Sequence, residues 1–404
     1  MGEDGVVAAA VLERFAELLV GFGANVQPGQ LVAVSSEIGK EPLTRAVAAA
    51  AYRRGATYVD VAYADPYVRR SRIEHGSDAA LDTVPSWIGE RILALGDQRC
   101  ARVALTGPTA PRLLEDLDPA RVGADRAQTL REAGKVLNDR TTNWTIGPCP
   151  TDGWARQVHP ELPPHEALAK LWEQIVHVCR LDEPDPVAAW RDRMATLGGV
   201  TERLTAARFD AVHFEGKGTD LTVGLLPSSQ WLSASFATTD GIPHIPNLPS
   251  EEVFTTPDPR RVDGVVRATK PLTLAGATIE GLTVRFENGR AVQIDADRGA
   301  DVLRSMAAHD DGAARLGEVA LVDGSGRIGP LDTVFYDTLL DENAASHVAL
   351  GQAFAFAVGE QDAERINESM VHIDFMIGGG DVDVTGVAAD GARTPVLRGG
   401  VWQL

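Results

Sequence analysis

A run of possible metal ligands lies in the last quarter of the chain. The segment DENAASH contains Asp341, Glu342 and His347, and the segment HID, 25 residues further on, contains His372 and Asp374. Two acids in similar apolar surroundings lie upstream, Glu252 and Glu318. Two histidines with three carboxylates form the ligand set expected of a site for two divalent ions. Such a site activates water and stabilises an oxyanion, which is chemistry typical of hydrolases.

The two histidines carry most of this hypothesis. His347 and His372 each lie among apolar or small residues, where an imidazole without a partner is costly to bury. Either one alone could instead be a core histidine that is hydrogen-bonded to a carbonyl. In the segment HID, however, His372 and Asp374 are two residues apart, so on a strand their side chains emerge on the same face. One strand could therefore offer two ligands to one site.

The roles of the acidic residues are less well determined by the sequence. Glu251 and Glu252 are adjacent, so only one of them can face inward from an extended chain. Glu318 could equally be a surface acid at a strand edge. Asp341 and Glu342 precede a segment with a helix-like pattern, and would then be helix N-terminal acids, which the macrodipole favours. Glu342 could also hydrogen-bond to a metal ligand and orient it.

Length and charge limit the class of protein. A chain of 404 residues is long for one core and predicts two domains. With 44% hydrophobic and 24% charged residues, the composition is that of a globular protein. The net charge of −19 argues against nucleic acid and against anionic membranes as partners.

Cysteine usage and hydropathy predict a cytoplasmic protein. Cys100, Cys149 and Cys179 are widely spaced and form no CxxC motif, which argues against a disulfide framework or a zinc finger. The N-terminal segment lacks the basic region that opens a secretory signal. No run of about 18 uncharged apolar residues is present, so we expect no membrane span.

The first half of the chain alternates predicted strands and helices. Short apolar runs at 30–35, 57–63 and 103–106 predict strands, and the alanine-rich segment 42–54 predicts a helix. This spacing is typical of an α/β domain with a parallel sheet. Residues 141–164 are rich in proline, tryptophan and glycine, which predicts an irregular connection.

We expect a domain boundary near Asp185, because prolines on both sides of it would interrupt a helix. The predicted domains are an N-terminal α/β domain over residues 1–184 and a C-terminal α+β domain over residues 185–404. The second would consist mainly of antiparallel strands and carry the metal site. Its clearest predicted helix spans residues 298–316.

Four segments together resemble the M29 family of metallo-aminopeptidases, of the aminopeptidase T type. They are, in order along the chain, NLPSEEVFTTP, LGEVALVD, DENAASHVALG and VHIDFMIG. One short motif would be weak, but four in the right order are specific. The resemblance extends over nearly the whole chain, since the pattern of the first half is also similar to that family.

The resemblance implies an aminopeptidase that releases N-terminal residues from short peptides by metal-activated water. It would bind two ions of zinc, cobalt or manganese, and its ligands would be Glu252, Glu318, His347, His372 and Asp374. This assignment favours Glu252 over Glu251. Glu318 or Glu342 would act as the general base. Members of this family are cytoplasmic homodimers, so we expect a homodimer here.

One position departs from the family pattern. The family has a catalytic tyrosine seven residues after the first motif histidine, and here that residue is Phe354. A phenol can donate a hydrogen bond to a developing oxyanion, and loss of one such donor typically costs a factor of about 10²–10³ in turnover. The alternative is therefore a metal-dependent non-peptidase enzyme on the same scaffold, or a binding protein that has lost catalysis.

Overall fold

The first half of the chain alternates helices and strands, as its sequence pattern predicts. The computed structural model describes residues 7–125, 131–233, 235–274 and 276–404. The elements of the first half are α1 (Ala9–Leu18), β1 (Leu31–Glu37), α2 (Glu41–Arg53), β2 (Tyr58–Ala64), α3 (Pro66–His75), α4 (Asp78–Asp82), α5 (Ser86–Asp97), β3 (Ala101–Thr106), α6 (Pro119–Ala124), α7 (Arg131–Asp139), β4 (Trp144–Pro148), α8 (Asp152–Val158), α9 (Pro164–Val178) and α10 (Pro186–Ala207). The strands form a parallel sheet in the order β2-β1-β3-β4, which confirms the predicted sheet.

The two faces of this parallel sheet have different surroundings. One face packs against α1 and α2 in an apolar core that includes Val34, Val47 and Val103. Along β3 the alternate residues Arg102 and Ala104 point to the opposite face, because successive side chains on a strand alternate. That second face lines a large cavity.

The segment 141–164 contains a strand and a helix, so the prediction of an irregular connection was wrong. It contains the edge strand β4 and the helix α8. Thr151 caps α8, since its Oγ1 accepts a hydrogen bond from the Trp154 N–H at 3.3 Å. The prolines that suggested a loop lie at an edge strand and between elements, where a missing N–H donor is tolerated.

The second half consists mainly of antiparallel strands, as predicted. Its elements are β5 (Ala211–Gly216), β6 (Thr219–Leu225), β7 (Leu232–Ser233), β8 (Phe236–Ala237), β9 (Pro243–His244), β10 (Glu252–Thr255), β11 (Pro257–Arg267), β12 (Leu272–Leu274), β13 (Ala277–Ile279), β14 (Thr283–Glu287), β15 (Arg290–Asp295), α11 (Ala300–Ala307), β16 (Leu316–Val322), α12 (Thr338–Glu342), β17 (His347–Gly351), β18 (His372–Met376), β19 (Val382–Val387), β20 (Arg393–Arg398) and β21 (Val401–Trp402). A five-stranded sheet has the order β18-β17-β16-β10-β7, and an eight-stranded sheet has the order β15-β14-β11-β6-β5-β19-β20-β21. Apolar side chains of both sheets share one core.

Two helix predictions in this half were wrong in extent or type. The predicted helix over residues 298–316 is shorter, because Asp310 accepts hydrogen bonds from nearby backbone N–H groups and forms a turn instead. The helix-like segment after Glu342 forms strand β17, whose residues are all buried. An apolar run buried on both faces has no periodicity that distinguishes strand from helix. No helix of the described residues has the length and apolar character needed to cross a membrane.

The domain boundary near Asp185 stays a prediction. Helix α10 begins one residue later and contributes to two apolar cores, with Trp190 in that of the first half and Leu197 in that of the second. Leu248 and Leu340, from the second half, also pack in the core of the first half. The two halves are therefore packed tightly against each other.

Candidate metal centre

The five predicted ligands lie on four adjacent strands of the five-stranded sheet. Glu252 begins β10, Glu318 lies on β16, His347 begins β17, and His372 and Asp374 lie on β18. Their neighbours in sequence on the same strands, which point to the opposite face, belong to the core between the two large sheets. The structure thus brings all five predicted ligands to one face of one sheet.

Small residues on this face leave room between the ligands. Ala349 of β17 lies in register between Glu318 and Asp374 of the flanking strands. Ala320 of β16 is the register partner of His347. A larger side chain at either alanine would fill the space that the surrounding carboxylates and imidazoles enclose.

A β-bulge sets the position of Glu318. The register between β16 and β17 shifts between Leu316 and Glu318, which leaves Gly317 as the extra residue. A Cβ on Gly317 would lie 2.3 Å from the carbonyl oxygen of Gly351 and 2.5 Å from that of Gln352. Both obstructing atoms belong to the backbone, so only glycine fits without displacement of β17.

We expect the substitution Gly317→Ala to displace Glu318 and to weaken metal binding. Residues that orient ligands typically contribute a factor of about 10–100 to affinity, and we expect a loss in that range. Titration calorimetry with zinc measures it. Gly380→Ala is the matched control, because a Cβ at Gly380 would meet nothing within 4 Å. Unchanged zinc affinity in a folded Gly317→Ala protein would contradict the role assigned to the bulge.

The ligand atoms form two groups of three. One group contains Glu252, Glu318 and His347, the other contains Glu318, His372 and Asp374, and within each group the atoms lie within 4.8 Å of one another. The Nε2 atom of His347 is 3.1 Å from Oε2 of Glu252, and Nε2 of His372 is 3.2 Å from Oε2 of Glu318. Glu318 belongs to both groups, so its carboxylate is the one that the two groups share.

Backbone carbonyl groups orient both histidines. Nδ1 of His347 lies 3.2 Å from the carbonyl oxygen of Ala345, and Nδ1 of His372 lies 2.8 Å from that of Gln352. A carbonyl oxygen only accepts, so each Nδ1 donates its proton and each Nε2 faces the cluster, where it would offer a lone pair to an ion once its own proton is lost. Histidine ligands of metals usually have this arrangement.

The negative charge of the cluster has little compensation within the described part of the chain. Glu252, Glu318, Glu342 and Asp374 are all less than one-tenth exposed. The ion pairs that they form there are with the two histidines, and none is with lysine or arginine. Burial of an uncompensated carboxylate costs several kcal/mol, so this cluster requires further positive charge.

The directions of the pKa shifts agree with an excess of negative charge. Burial, with the nearby carboxylate of Asp374, raises the pKa of Glu318 despite its contact with His372. Burial opposes protonation of His347, but the carboxylate of Glu252 reverses the effect and holds the pKa of this imidazole well above its usual value. Glu318 and His347 are thus each shifted toward the form that lowers the net negative charge. At Asp374, in contrast, burial is outweighed by the nearby imidazole of His372, which lowers the pKa of this carboxyl.

Divalent ions fit this donor set. Oε2 of Glu252 is buried, and its contact among the described residues is the charge pair with Nε2 of His347 at 3.1 Å, which leaves its hydrogen-bonding capacity unsatisfied. Carboxylate oxygens and imidazole nitrogens that converge on a buried space are ligands for zinc, cobalt and manganese. Ions there would satisfy the free oxygen and neutralise the buried acids.

Glu342 lies beside the cluster but belongs to neither group of three. It is near the C-terminal end of α12, so the interpretation as a helix N-terminal acid was wrong. Its Oε1 accepts a hydrogen bond from Nδ2 of Asn247 at 3.2 Å. Burial raises the pKa of Glu342 well above its usual value, and the charges of Asp374 and Glu252 add to this. Glu342 is therefore suited to hold a proton.

Glu251 points away from the cluster, which separates its role from that of Glu252. Its buried carboxylate accepts a hydrogen bond from Arg180 at 2.9 Å and pairs with Arg193. Arg193 also binds Asp323 at 3.0 Å. This buried network fastens the start of β10 to α10, so that the next residue, Glu252, faces the ligands.

Phe354 lies in the wall of the cavity next to the ligands. Its ring centroid is 5.2 Å from that of His372 and 5.4 Å from those of Phe254 and Phe356. Oγ1 of Thr256 accepts a hydrogen bond from the Phe354 N–H at 3.2 Å and donates one to its carbonyl oxygen at 2.9 Å. Backbone and ring are therefore held in one place.

A cavity of about 1080 Å³ extends from the ligands to the parallel sheet. Its walls include residues of β3, β4 and α7 as well as all five ligands, Glu342 and Phe354. Arg102, which also lines this cavity, was not predicted from the sequence. The available signal was a charged residue directly before the uncharged strand segment VALT.

Known proteins are similar to this chain in sequence and in fold. The profile of the thermophilic metalloprotease (M29) family matches residues 8–402. Aminopeptidase T of Thermus thermophilus is 43% identical over 400 residues, which are 97% of this chain and 98% of that protein. The solved structure of wild-type AmpT from Thermus thermophilus has a TM-score of 0.87 at 42% identity, and the match covers 98% of this chain and 99% of that one.

The fold also occurs in a solved structure that is more distant in sequence. The 2,5-dihydroxypyridine dioxygenase of Pseudomonas putida KT2440 matches with a TM-score of 0.52 over 98% of both chains, at 14% identity. This likeness concerns the fold alone. The family profile and the identity to aminopeptidase T, both over almost the entire chain, show that this chain belongs to the M29 family of metalloproteases.

Proposed function

We propose that the chain is a dinuclear metallo-aminopeptidase that releases N-terminal residues from short peptides. The observation that carries this proposal is the pair of ligand groups that share Glu318, in a member of the M29 family. The relative at 43% identity is named aminopeptidase T, which supports a hydrolase of this class. The residues that would hold two ions of zinc, cobalt or manganese are Glu252, Glu318, His347, His372 and Asp374.

Ions bound at this site would lower the pKa of water and polarise the peptide carbonyl. Glu342 is then the general base, because Glu318 is engaged in both ligand groups while Glu342 is in neither. It accepts the proton of the attacking water and returns it to the leaving amine. The hydrogen bond from Asn247 keeps the Glu342 carboxylate turned toward the cluster during this transfer.

The cluster also accounts for an exopeptidase rather than an endopeptidase. Four buried carboxylates surround one end of the cavity. A free α-amine can bind to an ion held there or, when protonated, to a carboxylate outside the ligand set such as Glu342, whereas an internal peptide segment has no terminal amine to offer. The free N-terminus of the substrate is therefore placed at this end, with the first peptide bond next to the ligands.

A cytoplasmic location and a homodimer are part of the same proposal. Cys100, Cys149 and Cys179 are all buried free thiols, which supports a reducing compartment. Large exposed apolar side chains are concentrated in the first half, and surfaces of this kind support subunit contacts. They include Tyr58, Tyr67 and Trp87. The net charge of −19 supports a protein without nucleic-acid partners.

The proposal is tested with purified protein reconstituted in turn with zinc, cobalt and manganese. We expect amino-acid release from short peptides, and release of nitroaniline from an aminoacyl p-nitroanilide. A chelator abolishes both activities and added metal restores them. The matched control substrate is the same peptide with an acetylated N-terminus, which we expect to remain intact. Absence of release by protein that holds about two ions per chain would overturn the proposal.

A further inference from the structure

Arg102 places a positive charge in the cavity that contains the acidic ligands. It lies on β3 and is part-buried, and it points with Ala104 and Thr106 to the face of the parallel sheet that lines the cavity. The other cavity-lining cations, Arg131 and Lys135, are on α7 and are exposed. Arg102 is thus the cation that belongs to the wall of the cavity.

The guanidinium of Arg102 has no carboxylate partner among the described residues. In the register of the sheet, Asp60 of β2, Ala33 of β1 and Arg102 of β3 lie side by side. Asp60 forms its ion pair with Arg91, however, so it does not neutralise Arg102. Desolvation, with the positive charge of Arg91, lowers the pKa of Arg102. An unpaired guanidinium in a partly desolvated wall is suited to bind an anion.

The separation between Arg102 and Asn247, whose side chain donates a hydrogen bond to the acidic residue Glu342, matches the length of a short peptide. Arg102 is the register partner of Trp144 on β4, and Ile146, two residues further along, pairs with Asn247. Arg102 and Asn247 are two strand spacings of about 4.8 Å apart across the sheet and two residues of about 3.3 Å apart along the strands. Their Cα atoms are therefore about 12 Å apart. An extended tripeptide spans about 10–11 Å.

We propose that Arg102 binds the C-terminal carboxylate of short peptide substrates, at the wall of the cavity that the parallel sheet forms. The inference rests on the proposed aminopeptidase function and adds a substrate class to it, namely peptides of about three residues with a free carboxylate. Such a peptide has a free amine and a free carboxylate, and the cavity offers the metal-ligand cluster to the amine and a guanidinium to the carboxylate. The cavity therefore selects for both free termini.

The test compares kcat/KM for Leu-Gly-Gly with that for Leu-Gly-Gly amide. A hydrogen-bonded charge pair typically contributes about 1.5–3 kcal/mol, so we expect the metal-loaded enzyme to prefer the free acid by about 10- to 100-fold. Long-range repulsion from a chain of charge −19 acts against this preference. In Arg102→Gln the ratio falls to about one, and in Arg102→Lys part of it remains.

The ratio within each variant cancels differences in folding and metal content. Arg131→Gln, at an exposed position in the same cavity, is the matched control and keeps the preference. A ratio near one in the unmodified enzyme, or an undiminished ratio in Arg102→Gln, overturns the inference. Hydrolysis of an aminoacyl p-nitroanilide, which has no carboxylate, reports separately on the proposed function. If that activity is present and the ratio is one, only the role of Arg102 fails.

Discussion

Replacement of Glu318 by glutamine is expected to remove metal from both halves of the site and to reduce activity by at least about 10³-fold. Glu318 is the residue that the two ligand groups share, and it is 4% exposed. Glutamine has the same shape, but its NH₂ group would face Nε2 of His372, now 3.2 Å from Oε2. Metal-ion catalysis contributes several kcal/mol to a barrier, and each 1.36 kcal/mol corresponds to a factor of ten.

Elemental analysis of the dialysed protein, with peptidase assays on the same sample, measures both effects. We expect about two ions per chain in the unmodified enzyme and one or fewer in Glu318→Gln. Glu368→Gln makes the same chemical change at an exposed acid in the cavity wall and keeps its ions. A Glu318→Gln protein that retained two ions would show that this carboxylate does not join the two ligand groups.

The position of the predicted ligands on one face of a sheet could be predicted in part, because alternation along a strand is a local property. The spacing of His372 and Asp374 places them on one face whatever the rest of the chain does. The choice between Glu251 and Glu252 could not be made from this alternation, because it shows only that the two side chains face opposite ways and not which of them faces inward. That choice depends on Arg180 and Arg193, which are distant in sequence and take up the charge of Glu251. The residues next to Glu251 in sequence carry no sign that two distant arginines pair with it.

Other features depend on which segments become neighbours in space. Strand β17 is buried on both faces, so its apolar run carried no strand signal, and Glu342 was consequently placed at the wrong end of a helix. Arg102 and the acidic residues line one cavity because β4 pairs with the segment that contains Asn247. Contacts of this kind join residues more than 100 positions apart, and no local pattern encodes them.

Substitution of Phe354 by tyrosine is expected to raise kcat, with little change in KM. The family resemblance places a tyrosine at this position, and one oxyanion donor is typically worth a factor of about 10²–10³. The ring lies 5.2 Å from that of His372, and Thr256 fixes its backbone, so a tyrosine ring would occupy the same place. Its hydroxyl would then enter the cavity beside the ligands. We expect a gain of at least about tenfold, because a donor added to a site that has adapted to its absence recovers only part of that factor.

Phe356→Tyr is the matched control for this gain. The two rings are stacked with centroids 5.4 Å apart, and Phe356 lines a smaller neighbouring cavity that none of the five ligands lines. The same hydroxyl added there is too remote to donate to the reacting carbonyl and leaves kcat unchanged. If Phe354→Tyr bound its metal ions normally and showed no gain, the chain would have to obtain its oxyanion donor elsewhere in the cavity.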